Sequence, residues 1–148
     1  LDKYLKDNGI VGVYGVDTRE ITKTIRESGV MNAIITSNPN SVDMEKVKQY
    51  KVTKAVKSVS TDKPALFPSE EHKYNVVLLD FGAKKNIVRE LNKRGCNVAV
   101  MPYDTKAEDI LKLGVDGIML SNGPGDPAEN TEVVEELKKL IGKAKPQR

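Results

Sequence analysis

Residues that commonly mark redox, nucleophilic or metal sites are scarce in this sequence. It contains one cysteine, Cys96, and one histidine, His72, in 148 residues. A single cysteine excludes an internal disulfide and is typical of a reducing compartment, so we expect a cytoplasmic protein. Cys96 follows a predicted helix end, where the helix dipole disfavours a thiolate, and we expect it to be a small buried apolar residue. His72 lies among charged residues, so the two predict neither a catalytic dyad nor a metal site.

Long apolar runs and an excess of one charge are also missing. No run approaches the roughly 20 residues of a membrane span, and no signal peptide opens the chain. The 24 Lys and Arg residues face 21 Asp and Glu residues, for a formal net charge of +3. Basic and acidic residues alternate, as in 106–112, which is typical of a solvated helix surface and argues against nucleic-acid binding. We expect both ends, at Leu1 and at 145–148, to be cuts in a longer chain.

The first half predicts a strand, a helix, a second strand and a second helix. Residues 10–16 and 33–36 are β-branched and apolar, as in strands. Asp17 can cap the intervening helix, and a further helix is predicted over 42–50. Residues 58–73 lack either periodicity and predict an interdomain linker. We therefore divide the chain into 1–57, 58–73 and 74–148.

The second half predicts an α/β fold. Continuous apolar runs predict three strands buried on both faces, at 76–79, 97–101 and 117–120. Helices are predicted between and after them, over 84–94, from a capping box at Thr105–Glu108 through Leu113, and along the apolar positions Val133, Val134, Leu137, Leu140 and Ile141. This alternation predicts a βαβαβα unit with a parallel sheet. Ligands bind such sheets beyond the carboxyl ends of the strands. At the first of these ends Asp80 is expected to cap or orient the neighbouring loops.

The loop after the third strand has the strongest functional pattern. Its residues are Ser121, Asn122, Gly123, Pro124, Gly125, Asp126 and Pro127. Two glycines let a ligand approach the backbone, the prolines stiffen the loop, and Asp126 can cap a following helix. Such a loop suits an oxyanion or a carboxyl group. A tight turn whose glycines supply positive φ explains the pattern equally well. The spacing matches neither a dinucleotide fingerprint nor a phosphate-binding P-loop.

Several segments together resemble one known family. They are residues 80–87, 94–96, 107–109 and 116–127, in this order and spacing, and residues 10–38. They resemble the small, glutamine-hydrolysing subunit of carbamoyl phosphate synthetase, a member of the class I glutamine amidotransferase family. The resemblance implies the end of that subunit's N-terminal domain followed by the first half of a flavodoxin-like, parallel-sheet amidotransferase domain.

The resemblance also implies a function. In that family glutamine is hydrolysed through a cysteine thioester, and the ammonia passes to a large subunit that joins it to bicarbonate using ATP, for pyrimidine and arginine biosynthesis. The large subunit is therefore the expected partner, and glutamine the expected substrate of the intact subunit. No cofactor is expected on this chain, since ATP and a metal ion belong to the large subunit.

The resemblance assigns the site residues as well. Gly123 and Gly125 would contact glutamine, and the N–H at Gly123 would line the oxyanion hole, with Ser121, Asn122, Pro124 and Asp126 supporting the loop. The family's nucleophilic cysteine would lie on an elbow that begins just after Pro146, and its His and Glu partners would come later. No catalytic residue is therefore expected in this chain, and we predict it to be inactive alone.

Two other classes of function stay open. A flavodoxin-like phosphoacceptor domain has a similar outline around 120–125, although Ser121 occupies the acceptor position and Asp80 alone represents the usual acidic pair. A non-catalytic interaction domain is the second alternative.

Overall fold

The protein divides into two compact units, Leu1–Lys51 and Val52–Arg148. The structure, a computed structural model, describes residues 1–142.

The first unit is helical. It contains α1 (Asp2–Asp7), α2 (Thr18–Ser28), a short 3-10 turn (Pro39–Ser41) and α3 (Met44–Gln49). Asp17 caps α2 as predicted, because its side chain accepts hydrogen bonds from the N–H groups of the second and third helical residues.

The two strands predicted in the first unit are wrong. Residues 10–16 and 33–36 form no strand. A strand exists through hydrogen bonds to a neighbouring strand, and within residues 1–51 neither segment has one. No residue of this unit is buried, and its β-branched side chains therefore lack the packed surface that favours strands.

The second unit is built on a four-stranded sheet with the order β1-β3-β2-β4. The strands are β1 (Ala65–Phe67), β2 (Tyr74–Asp80), β3 (Cys96–Pro102) and β4 (Gly117–Leu120). Strand β2 pairs in parallel with both β3 and β4, which confirms the predicted α/β class. Strand β4 is the last of the sheet among residues 1–142 and is half exposed, with Leu120 46% accessible, so its predicted burial is wrong.

The segment predicted as a linker differs from that expectation. It lies within the second unit, where α4 (Ala55–Val59) overlaps its start and β1 pairs antiparallel with β3. Strand β1 is only three residues long and alternates with prolines and serines, which hides it from a periodicity argument. The division into 1–57, 58–73 and 74–148 stays a prediction.

The core occupies both faces of β2. Helix α5 (Lys85–Asn92) covers one face, and α6 (Ala107–Lys112) and α7 (Thr131–Leu140) cover the other. The most deeply buried side chains are Val77, Leu78, Leu79, Val98 and Ile110. The predicted apolar face of α7 holds at Val133 and Leu140, but Val134 and Ile141 are 40% and 78% exposed.

Helix α6 begins differently from the predicted capping box. Thr105 donates its hydroxyl to the carbonyl of Pro102, and no side chain of the helix's own cap accepts the free N–H groups. Glu136 of α7 does so instead, since its Oε2 lies 3.0 Å from the N of Ala107. The Glu136 side chain is 13% exposed, and Lys139 and Lys106 lie within 2.9 and 3.5 Å of its Oε1. The hydrogen bond from Ala107, followed by that from Lys139, lowers the pKa of Glu136 to about 2.

This carboxylate makes stability depend on pH. Its pKa is lower in the folded state than the roughly 4.3 of an unfolded chain, so its contribution is complete above that value and is lost as the pH falls toward 2. We expect Glu136→Gln to lower the urea midpoint at pH 7, and the difference from wild type to shrink between about pH 4.5 and 2.

Glu135→Gln is the matched control, because Glu135 lies on the same helix and pairs only with exposed Lys138. Its urea midpoint should stay close to that of wild type throughout. A Glu136→Gln difference that is constant down to pH 2 contradicts this role.

Candidate functional site

The Ser121–Asp126 loop begins where β2 and β4 end. The N–H of Ser121 donates to the carbonyl of Leu79 at 3.2 Å, which extends the pairing of the two strands by one step. The loop therefore leaves the sheet at the carboxyl end of its central strand. Ligands of parallel sheets bind at this end.

A side-chain hydrogen bond joins the loop to the turn that follows β2. The Ser121 Oγ accepts from the N–H of Phe81 at 2.9 Å and donates to the carbonyl of Asn122 at 2.9 Å. The backbone of Gly123 lies close to the same turn. A Cβ on Gly123 would lie 2.5 Å from the carbonyl oxygen of Phe81, so only glycine permits this approach.

Gly125 is required for another reason. Its φ of +82° is in the left-handed region that favours glycine, and a Cβ there would lie 3.2 Å from the Cβ of Ala55. Asp126 then caps the next segment as predicted, because its Oδ1 accepts from the N–H of Ala128 at 2.9 Å. The capped segment is a three-residue 3-10 helix, Pro127–Glu129, and α7 starts only at Thr131.

The loop leaves backbone donors available. Within residues 1–142, no protein group accepts a hydrogen bond from the N–H of Gly123 or of Gly125. Both residues are exposed, so a bound group can reach these donors. Fixed N–H groups of this kind stabilise a developing oxyanion, because they need little reorganisation when the charge forms.

A cavity of about 280 Å³ lies beside the loop. Its walls are mostly apolar, and Ser121 and Asn130 are its polar side chains. The lining residues are Val56, Phe81, Leu120, Ser121, Gly123, Pro124, Gly125, Pro127, Asn130, Val133, Val134 and Leu137. Recognition of a polar group here depends on backbone donors, since the side chains supply few.

Cys96 and His72 lie at the other end of the sheet. Cys96 pairs with Tyr74 at the start of β2, so about 20 Å of strand separates it from the loop. It is buried, as predicted. His72 contacts Asn97 at 2.8 Å through its Nδ1, next to the same end of the sheet. Neither side chain can reach a group bound at Gly123.

The described residues offer no other familiar centre. No group of three or more His, Cys, Asp or Glu side chains within 1–142 is placed to hold a metal ion. Among the same residues, no helix has the length and apolar character needed to cross a bilayer.

Two supports of the loop differ in how well the sequence predicts them. Asp80 is buried and orients neighbouring loops as expected, accepting from the N–H groups of Gly82 and Ala83. The contact of α4 with the loop, through Ala55 and Val56, is not predicted, because the partners are separated by about seventy residues in the chain. The signal available was a pair of apolar residues in an otherwise polar segment.

The close approach of Gly123 to Phe81 makes a substitution test possible. We expect Gly123→Ala to lower the free energy of unfolding by about 1–3 kcal/mol, because the methyl group collides with backbone rather than with a flexible side chain. Urea unfolding measures the effect.

Gly117→Ala is the matched control, since the nearest atom to its added Cβ is 3.9 Å away. Its stability should change by less than about 1 kcal/mol. Equal effects of the two substitutions contradict the described approach of the loop to the turn.

Comparison with known proteins identifies relatives along nearly the whole chain. The profile of the family described as "Glutamine amidotransferase class-I" matches residues 77–147, and that of "Carbamoyl-phosphate synthase small chain, CPSase domain" matches residues 1–35. The chain is 48% identical over 145 residues to the carbamoyl phosphate synthase small chain of Bacillus thuringiensis subsp. konkukian. Identity to the small chains of Staphylococcus saprophyticus and Clostridium perfringens is 49% over 142 residues and 45% over 145 residues.

These alignments cover most of this chain but less than half of each relative. They include 97%, 94% and 97% of this chain, and 39%, 38% and 41% of the respective relatives. The chain thus spans about two fifths of the length of the curated relatives it matches. The chain is related to carbamoyl phosphate synthase small chains, and its residues 77–147 belong to the class-I glutamine amidotransferase family.

Proposed function

We propose that this chain is part of a glutamine-hydrolysing subunit of carbamoyl phosphate synthase, and that the Gly123–Asp126 loop provides its oxyanion hole. The observation that carries the proposal is the pair of unused N–H groups at Gly123 and Gly125, on a loop braced against the end of β2. The similarity to small chains over 97% of this chain supports the same function.

The proposed chemistry is acyl transfer. A cysteine thiolate attacks the side-chain amide carbonyl of glutamine, and the carbonyl electrons move onto oxygen, where the loop N–H groups stabilise the charge. When the oxyanion collapses, the C–N bond breaks and the protonated nitrogen leaves as ammonia. Water then attacks the thioester, which releases glutamate and returns the thiol.

In this proposal the nucleophile is a cysteine other than Cys96. Cys96 is buried at the opposite end of the sheet from the loop, with about 20 Å of strand between them. A loop that stabilises an oxyanion cannot form a thioester without a nucleophile in reach. We therefore expect the 148-residue chain alone to be inactive.

The proposed partner is the large chain of the synthase, which would receive the ammonia and join it to bicarbonate with ATP, in the cytoplasm, for pyrimidine and arginine biosynthesis. The small-chain relatives support such a partner. A phosphoacceptor role has no comparable support, because the hydroxyl at the acceptor position, Ser121, is engaged with Phe81 and Asn122.

Ammonia release from glutamine tests the proposal. The longer protein that contains this chain, assembled with its large chain, should hydrolyse glutamine, whereas the purified 148-residue chain should release no ammonia above a protein-free blank. In the assembled protein, Gly123→Ala should lower kcat about 10²-fold, because it displaces an oxyanion donor.

Gly117→Ala, in the neighbouring strand, serves as the control and should leave kcat within about threefold of wild type, because its added Cβ has room. Two outcomes contradict the proposal: an assembled protein that does not hydrolyse glutamine, and an isolated chain that does.

A further inference from the structure

The carboxylate of Asp80 connects three parts of the second unit. Asp80 is 8% exposed and ends β2. Its Oδ1 accepts from the N–H groups of Gly82 at 2.9 Å and Ala83 at 2.6 Å, and its Oδ2 accepts from the N–H of Thr61 at 2.8 Å. Hydrogen bonds from N–H groups to an ionised carboxylate are about twice as strong as those between neutral groups. Asp80 therefore holds the turn after β2 and the segment after α4 in fixed positions.

The turn held by Oδ1 contacts the candidate oxyanion loop directly. The N–H of Phe81 donates to Ser121, and the carbonyl of Phe81 fills the space beside Gly123. A Cβ on Gly82 would lie 3.5 Å from Pro124. The position of the loop backbone is thus set by the position of this turn.

The segment held by Oδ2 contacts the loop from another direction. Thr61 follows α4, and Ala55 of that helix lies against Gly125. Val59 of α4 lies against Gly82, so the helix also touches the turn. One carboxylate therefore anchors two supports of the same loop.

We propose that Asp80 is a positioning residue for the oxyanion donors at Gly123 and Gly125, an inference that rests on the function proposed above. Asp80 touches neither substrate nor reacting atoms, because its two oxygens are occupied by the three backbone donors. It acts through the turn and through α4, which fix the direction of the loop N–H groups. A displacement of about 1 Å at such a donor can cost 10²-fold in rate.

Asp80→Asn in the assembled protein tests this inference. The substitution keeps the shape of the side chain but removes its charge, and it places an NH₂ group against the N–H of Thr61 or of Gly82 and Ala83. We expect kcat for glutamine hydrolysis to fall about 10- to 100-fold with KM within about twofold of wild type, because the oxyanion forms after binding.

Asp116→Asn is the matched control. Asp116 also accepts a backbone N–H, from Asn75 at 2.7 Å, but it lies at the start of β2, away from the loop. Its substitution should leave both kinetic constants near wild type. A kcat for Asp80→Asn within threefold of wild type, or a loss carried by KM, overturns the proposal.

A second variant covers the case in which Asp80→Asn does not fold. Ser121→Ala leaves Asp80 intact and removes the acceptor of the Phe81 N–H, the next contact between turn and loop. It should lower kcat in the same way, and an unchanged kcat overturns the proposed connection.

Nuclear magnetic resonance of the 148-residue chain separates this inference from the proposed function. The amide resonances of Gly123 and Gly125 should shift in Asp80→Asn and stay in place in Asp116→Asn. If the assembled wild-type protein does not hydrolyse glutamine, the proposed function fails, and these resonances still decide whether Asp80 positions the loop. Unshifted Gly123 and Gly125 resonances overturn that role.

Discussion

Strand β2 is the constraint on which the rest of the second unit depends. It is paired in parallel on both sides and covered by helices on both faces, so Val77, Leu78 and Leu79 are at most 1% exposed. Burying each such side chain contributes about 1.5–3 kcal/mol. Because the neighbouring strands run in the same direction, their carboxyl ends meet at one edge, and the loop after β4 starts beside the turn after β2.

The candidate site depends on backbone geometry more than on side-chain chemistry. Two glycines are needed for different reasons: Gly123 because the carbonyl of Phe81 occupies the place of a Cβ, and Gly125 because its φ is positive. The loop is held by Ser121 and Asp126, so its unused N–H groups are arranged before any ligand arrives. Such prior arrangement is what makes backbone donors effective toward a developing charge.

Local patterns in the sequence predict the centre of the fold, and non-local contacts decide the rest. The apolar run over 76–79 predicts β2, and the positions of Ile87, Val88 and Leu91 predict the face of α5 that covers it. The start of α6 is not predictable from its own residues, since its cap is Glu136 from another helix. The residues of the glycine loop are predictable as a group, whereas their support by α4 is visible only in the fold.

The central claim is that Gly123 donates its N–H to the oxygen of a glutamine-derived acyl group. A crystal structure of the longer protein, trapped as the thioester with a slowly hydrolysed glutamine analogue, tests this most directly. The account predicts the N of Gly123 at about 2.7–3.1 Å from the carbonyl oxygen of the thioester. A thioester oxygen more than about 4 Å from this nitrogen, with the Gly123 N–H bonded to a protein carbonyl instead, would contradict it.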